Sequence, residues 1–193
     1  PHRHKSSERQ PQIYICRGTQ LQPLMVMLKV GITGGIGSGK TTVCKYFEKK
    51  GVAIYYTDER SRWLQEHNPE IISKTKALLG PQSYLSDGSL NRSYIASQVF
   101  SQAQLLTQFN QIVHPVVFAD LYQWYHIHSQ HPYTLKESAL TFESGQYQQL
   151  DKIILVTAPL QQRIARVLTR DPHRTREEVL NIIEKQWPED KKK

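Results

Sequence analysis

The chain has 193 residues, of which 25 are lysine or arginine and 17 are aspartate or glutamate, so its formal net charge is +8. Its 38% hydrophobic and 22% charged residues are typical of a soluble globular protein and exclude a disordered chain. Its two cysteines exclude a disulfide framework, and no apolar run approaches the roughly 18 residues that a membrane helix needs.

Residues 1–27 are polar, basic and without hydrophobic period, and we expect them to form a flexible leader outside the folded domain. The first predicted element of the domain is at residues 28–32, an apolar run rich in residues that favour β-strands, which predicts a buried strand. After a glycine-rich stretch, residues 40–50 predict a helix that stops at a glycine. Residues 52–56 then predict a second strand.

The rest of the chain alternates long helical stretches with two further strands. We predict helices over 59–67, 69–79, most of 92–130, 159–170 and 175–187, and strands over 133–137 and 152–157. Strands that alternate with helices indicate an α/β fold with a three-layer domain and a mostly parallel sheet. The helix-only span, about 59–130, predicts an inserted helical lobe, with a nucleotide-binding core at about 28–58 and 131–158 and helical lid segments at about 159–187.

Residues 34–41 match the phosphate-binding pattern G-x-x-x-x-G-K-[ST], with a predicted strand before it and a predicted helix after it. Glycines let backbone N–H groups approach phosphates closely, and the following helix presents its positive dipole end. Lys40 is suited to reach the outer phosphates of ATP, and the Thr41 hydroxyl to ligate Mg²⁺. The candidate nucleotide-binding residues are Gly34, Gly35, Ile36, Gly37, Ser38, Gly39, Lys40, Thr41 and Thr42.

Such a P-loop occurs in kinases, GTPases, ATPases and nucleic-acid motors. The motif therefore predicts a P-loop NTPase-type fold but does not identify the reaction. A GTPase would carry an Asn-Lys-x-Asp run that reads guanine, and the sequence has none.

Three acidic residues follow predicted strands. Asp58 lies just past the second strand, where a carboxylate can orient or deprotonate an acceptor hydroxyl, although a helix cap would explain it equally well. Glu137 ends the third strand, a common position for a Mg²⁺-coordinating acid, or is an ordinary strand-end carboxylate. Glu143 is suited to accept a hydrogen bond from substrate or to cap a helix.

Four basic residues complete the candidate site. Arg166 and Arg170 share one helical face and could clamp phosphates or form a solvated basic face. Arg92, in the predicted lobe, could meet an acceptor phosphate or be a surface charge. His114 precedes a proline, and we interpret the pair as a structural helix start, with substrate contact as the alternative.

The order of these motifs resembles the dephospho-CoA kinase family. The matching segments are GITGGIGSGKTTV (31–43), GVAIYYTDERSRWL (51–64), DGSLNRSYIASQVF (87–100), Val113-His114-Pro115, KESALTFESGQYQQLD (136–151) and the arginine-rich lid around 163–186. The resemblance implies phosphorylation of the ribose 3′-hydroxyl of dephospho-CoA by ATP with Mg²⁺, the last step of coenzyme A biosynthesis. It also implies that Asp58 is the catalytic base. We expect Lys40, Arg166 and Arg170 to act with it in catalysis, and Arg92, His114, Glu137 and Glu143 are the candidate substrate-binding residues, with the alternatives given above.

The sequence departs from that family at its end. It stops at WPEDKKK, where the family continues into Ala-Asp-x-x-Ile-x-Asn, a segment that by resemblance forms an edge strand and part of the adenine pocket. If the protein ends there, we expect lower stability and weak ATP binding. The alternatives are therefore an inactive nucleotide-binding protein or a different small-molecule P-loop kinase.

The positive charge lies mostly at the two ends. Residues 1–27 carry a net charge of +3 and Lys191–Lys193 another +3, which leaves +2 for the rest. Because these ends are expected to fit the fold poorly, we predict no nucleic-acid and no membrane partner, and a cytoplasmic setting with reduced cysteines. The oligomeric state is left open.

Overall fold

The structure is a computed structural model that describes residues 27–193, without the side chains of Phe100 and Ser101, and the backbone of two short strands before them. These strands, β1 (Tyr14–Cys16) and β2 (Leu21–Pro23), pair antiparallel. The predicted flexible leader otherwise falls on residues outside this description.

Four parallel strands form the sheet of the main domain: β3 (Leu28–Thr33), β4 (Ile54–Tyr56), β5 (Tyr133–Glu137) and β6 (Lys152–Leu155). Their order in the sheet is β4-β5-β3-β6. The connection that leaves β3 runs toward β4 on one side, whereas the connection that leaves β5 runs toward β6 on the other. The carboxyl ends of β3 and β5 therefore form a topological switch point, where open α/β sheets bind their ligands.

The helices follow the predicted pattern, with ends shifted by a few residues. They are α1 (Lys40–Glu48), α2 (Thr57–His67), α3 (Pro69–Leu79), α4 (Arg92–Ser101), α5 (Ala103–Ile127), α6 (Leu160–Arg170), α7 (Arg176–Glu184) and α8 (Glu189–Lys192), with short 3-10 turns at Pro81–Ser83 and Gln146–Gln149. Side chains define two of the starts. Asn68 caps α3 by accepting two backbone N–H groups, and Thr175 with Glu178 forms a capping box on α7.

Helices α2 to α5 lie between β4 and β5 in the chain, in the span for which the sequence analysis predicts a helical lobe. One apolar cluster of the lobe joins Leu64, Ile71 and Val113, and a second joins α3 to α4. The last turns of α5 pack instead on the sheet, where Leu121 and Tyr125 contact Tyr55. Helix α5 thus belongs to both the lobe and the sheet core.

The prediction that His114 and Pro115 begin a helix is wrong, because Pro115 lies within the 25-residue helix α5. A proline inside a helix removes one backbone hydrogen bond and is disfavoured by its ring. Here the apolar stripe continues on both sides, with Phe109 and Val113 before the proline and Val116 and Val117 after it. Burial of this stripe therefore outweighs the local cost of the proline.

In the predicted lid region, α6 packs on α7 through Ile164, Val167 and Val179, all 1% exposed or less. Ile36 of the glycine loop packs against the same cluster. The lid helices are thus in direct contact with the phosphate-binding loop.

Candidate active site

The glycine loop runs from the end of β3 into α1, as the motif requires. Gly39 precedes α1 in a left-handed conformation with φ 103°, and the first turn of α1 holds neither an acidic residue nor a side-chain cap. The first N–H groups of α1 and the positive end of its dipole are therefore available to an anion. This geometry is suited to the phosphates of a nucleotide.

Two glycines of the loop are required by a close neighbour as well as by the turn. Gly37 has φ +76°, and a Cβ there would overlap the backbone of Arg163. A Cβ at Gly35 would overlap the guanidinium of the same arginine. A larger residue at Gly37 would therefore push the loop away from α6, whereas one at Gly35 would displace the guanidinium of Arg163.

Arg163 supports the loop, a role that the sequence did not predict for it. Its side chain is 9% exposed, its Nε donates to the carbonyl of Ile36 over 3.0 Å, and its Nη1 lies 3.3 Å from the Glu189 carboxylate. From the other side, the Gln186 side-chain oxygen accepts the N–H of Ile36 over 2.9 Å. Arg163 lies in the first turn of α6, the helix that follows β6. Because β6 is next to β3, from which the glycine loop runs, this position is the sequence signal that could have identified Arg163.

Lys40 lies at the start of α1 and donates to the carbonyl of Gly34 over 2.9 Å. Burial lowers the pKa of Lys40, while the negative charges of Glu137 and Asp58 act in the opposite direction. A cation held by the loop beside two carboxylates is suited to the outer phosphates of ATP.

Five of the predicted site residues, Lys40, Thr41, Asp58, Glu137 and Arg170, line one pocket of about 560 Å³. It is lined by Lys40, Thr41, Lys45, Glu48, Tyr56, Asp58, Glu59, Arg62, Glu137, Ala139 and Arg170. These side chains come from α1, from β4 and the helix α2 that follows it, from the carboxyl end of β5, and from α6, so the switch point of the sheet brings them together.

Oxygen donors in this pocket fit a magnesium ion. Glu137 is 9% exposed at the end of β5. Burial raises the pKa of Glu137; Lys40 lowers it, and Asp58 raises it further. With the Thr41 hydroxyl these carboxylates are the ligand type that Mg²⁺ prefers. Within residues 27–193 no group of three or more His, Cys, Asp or Glu side chains is placed to hold a metal ion.

Asp58 lies in the first turn of α2, directly beyond β4. The cap alternative for Asp58 is wrong, because the N-cap of this helix is Tyr56, which makes no side-chain cap bond. Asp58 lines the nucleotide pocket and also a second pocket of about 190 Å³ between the sheet and α5. It is therefore the acidic residue common to both cavities.

The second pocket, hereafter the lobe pocket, has one apolar wall and one polar wall. Helix α5 supplies His114, Val117, Phe118 and Leu121. The remaining lining residues are Tyr55, Thr57, Asp58, Ser61, Lys136, Ser138, Leu140, Ser144 and Gln146. His114 is thus placed in this pocket, and Lys136 is a lining residue that the sequence analysis did not identify.

Glu143 and Arg92 are not brought to either pocket. Glu143 accepts the N–H of Trp187 over 2.7 Å and pairs with Lys192 over 2.8 Å. Burial alone would raise the pKa of Glu143, but hydrogen bonds from Lys192 and the backbone lower it overall. Arg92 is exposed at the start of α4, 3.9 Å from Glu66.

The pair with Glu143 also corrects the expectation that the terminal lysines fit the fold poorly. The side chain of Lys192 is 1% exposed, so this part of the chain is packed into the domain.

The two predicted lid arginines lie on one side of α6, facing the loop and its pocket. Arg166 Nη1 donates to the carbonyl of Ser38 over 3.2 Å and to that of Gly37 over 3.4 Å. Arg170 lines the nucleotide pocket while its guanidinium pairs with Asp171 over 2.7 Å. Arg166 thus contacts the loop directly, and Arg170 shares its pocket with Lys40 and Thr41.

None of the helices in the described part of the chain combines the length and apolar character that crossing a membrane requires.

Comparisons with known proteins agree with this geometry. The sequence profile of the family described as dephospho-CoA kinase matches residues 28–193. A dephospho-CoA kinase of Salinibacter ruber is 39% identical over 147 residues, covering 75% of this chain and 74% of the relative. A dephospho-CoA kinase of Chlorobium luteolum is 36% identical over 168 residues, covering 83% and 76%.

Solved structures give the same result for the fold. A crystal structure from Thermus thermophilus superposes with a TM-score of 0.77 at 33% identity, covering 86% of this chain and 84% of that one. A dephospho-CoA kinase from Campylobacter jejuni superposes with a TM-score of 0.59 at 21% identity, covering 82% and 79%, and supports the fold alone. The predicted P-loop α/β fold is confirmed, and the chain belongs to the dephospho-CoA kinase family.

Proposed function

We propose that this chain transfers the γ-phosphoryl group of ATP to the ribose 3′-hydroxyl of dephospho-CoA, giving CoA and ADP. The observation that carries the proposal is the position of Asp58 in the wall shared by the nucleotide pocket and the lobe pocket. A phosphoryl acceptor bound in the lobe pocket would have its hydroxyl beside this carboxylate. The names of the relatives identify dephospho-CoA as that acceptor.

The reaction then depends on positioning and charge. The loop N–H groups and Lys40 hold the β- and γ-phosphates, and Arg166 and Arg170 neutralise charge that develops during transfer. Asp58 orients the acceptor hydroxyl and accepts its proton as the new bond to phosphorus forms. The apolar face of α5 excludes water from the acceptor side, which protects ATP from hydrolysis.

Thr41 and Glu137 would hold Mg²⁺, with Asp58 close enough to contribute through water. When bound, the ion supplies positive charge to the oxygens of the β- and γ-phosphates. Glu137 is suited to this role because a carboxylate buried beside Lys40 is held in place before the nucleotide binds.

The setting that we propose is the cytoplasm, with ATP and dephospho-CoA as the small-molecule partners and neither nucleic acid nor membrane among them. Lys40, Lys45, Arg62 and Arg170 line one pocket, where positive charge suits the phosphates of a small molecule.

The test is ADP release in the presence of ATP, Mg²⁺ and dephospho-CoA. We expect turnover by the wild type, a loss of at least about 10³-fold in kcat for Lys40→Ala, and a loss of about 10²- to 10⁴-fold for Asp58→Asn with ATP binding retained. Asp190→Asn makes the same chemical change at an exposed site and should keep full activity. ATP binding without ADP release by the folded wild type would refute the proposal.

A further inference from the structure

Lys136 lies on β5, which pairs with β3 on one side and with β4 on the other. Its side chain lies on the face of the sheet opposite that of Glu137, because successive side chains of a strand alternate between the two faces. It is 4% exposed and lines the lobe pocket together with Asp58 and His114. None of the roles proposed above uses this lysine. Its burial in a cavity beside Asp58 therefore calls for a function of its own.

The ammonium of Lys136 has a neutral partner only. Its Nζ donates to the side-chain oxygen of Gln146. Lys136 is buried, and no ion pair joins it to a carboxylate in the described part of the chain. The contrast with other lysines near the site is clear, since Lys40 interacts with Glu137 and Lys192 pairs with Glu143.

Burying a cation without an opposite charge lowers the stability of the folded protein. The Lys136 ammonium is nevertheless placed in the wall of the lobe pocket. Among the residues that line the lobe pocket, Lys136 is the sole lysine or arginine. The neighbouring wall from α5 is apolar, so it gives a bound anion no other charged partner there. The pocket is thus suited to a ligand with an apolar or aromatic part and one anionic group.

We propose that Lys136 binds the 5′-diphosphate of the acceptor and so selects a phosphate-bearing nucleotide over a nucleoside. This inference rests on the proposed function, which places the acceptor ribose beside Asp58. In such an acceptor the 5′-phosphates are attached to the same ribose as the reacting hydroxyl. A ribose held at Asp58 therefore brings its 5′-substituent within the same pocket, where Lys136 supplies the missing opposite charge.

The experiment compares two acceptors that share the adenosine group and differ in the phosphates: dephospho-CoA and adenosine. For Lys136→Met we expect the KM for dephospho-CoA to rise about 10- to 100-fold, as for a lost charged hydrogen bond, with kcat and the KM for ATP unchanged. The kcat/KM for adenosine should remain within about twofold of wild type. The preference for dephospho-CoA over adenosine would thus fall about 10- to 100-fold.

Two further variants separate charge from packing. Lys136→Gln keeps a hydrogen-bond donor and removes the charge, so it should show the same loss as Lys136→Met. Lys29→Met removes a lysine from the neighbouring strand β3, where its ammonium lies over the rings of Tyr122 and Tyr125 outside the lobe pocket. We expect this control to keep the wild-type preference.

Equal losses with both acceptors, no loss with either, or recovery of dephospho-CoA affinity in Lys136→Gln would overturn the proposal. Calorimetric binding of each acceptor to the ATP-analogue complex gives the same comparison without turnover. If the wild type binds dephospho-CoA more tightly than adenosine through Lys136 yet releases no ADP, the proposed function fails and the role of Lys136 stands. If the wild type turns over and Lys136→Met retains its preference, the reverse holds.

Discussion

Replacing Lys136 with methionine should stabilise the protein at neutral pH. Burial lowers the pKa of Lys136 from 10.5 to about 8. Each pKa unit corresponds to about 1.4 kcal/mol, so the protonated side chain costs the folded state about 3 kcal/mol. Methionine fills a similar volume without the charge, and replacing a buried ion with an apolar residue is often stabilising.

The sign of the pH dependence follows from proton binding. Between pH 8 and 10.5 the unfolded chain retains the proton on Lys136 more strongly than the folded protein does, so the stability of the wild type rises with pH. Below pH 8 both states are protonated and the full cost is present. Above pH 10.5 both are neutral and the cost disappears.

Urea unfolding at pH 7 and pH 10 measures this cost. We expect Lys136→Met to exceed the wild type by up to about 3 kcal/mol at pH 7 and by much less at pH 10. Effects of pH on other groups cancel in the difference between the two proteins. A variant that is less stable at pH 7, or a difference that stays constant with pH, would refute the reasoning.

Three other substitutions test the loop and its support. Gly37→Ala strains a left-handed residue against the Arg163 backbone, so ATP affinity by calorimetry should fall at least about 10-fold while adenosine binding is kept. Arg163→Met leaves the Glu189 carboxylate without its cation and should lower the free energy of unfolding by about 2–3 kcal/mol; an unchanged urea midpoint would contradict this. Glu143→Gln leaves Lys192 buried without its charged partner and should lower the free energy of unfolding by about 3 kcal/mol near pH 7. Because the pKa of Glu143 is lowered in the folded protein, the wild type should lose this advantage as the pH falls below about 4.5.

The convergence of the site was predictable because it follows from local signals and from strand direction. The P-loop is contiguous in sequence, so Lys40 and Thr41 could be assigned from the motif and its flanking strand and helix. Asp58 and Glu137 follow different strands, and parallel strands bring their carboxyl ends to one edge of the sheet. No information beyond the order of strands and helices was needed for these residues.

The remaining features depend on contacts between distant parts of the chain. Arg163 and Gln186 meet the backbone of Ile36 from positions 127 and 150 residues away. No local pattern predicts the contact of Gln186, and the position of Arg163 in the first turn of α6 indicates that it is near the loop but not which backbone group it meets. For Lys136, strand alternation predicts the face but not the absence of a carboxylate partner. At Pro115 the local rule was wrong because long-range burial of the apolar stripe of α5 decides the conformation.

The continuity of α5 also determines how the molecule should lose its structure. Phe109 and Val113 hold the lobe together, whereas Leu121 and Tyr125 of the same helix cover the sheet. Melting this helix would expose both cores at once, so neither the lobe nor the nucleotide-binding part is a separate folding unit. We therefore expect a single cooperative unfolding transition, with intrinsic tryptophan fluorescence and circular dichroism of the whole domain changing at the same urea concentration.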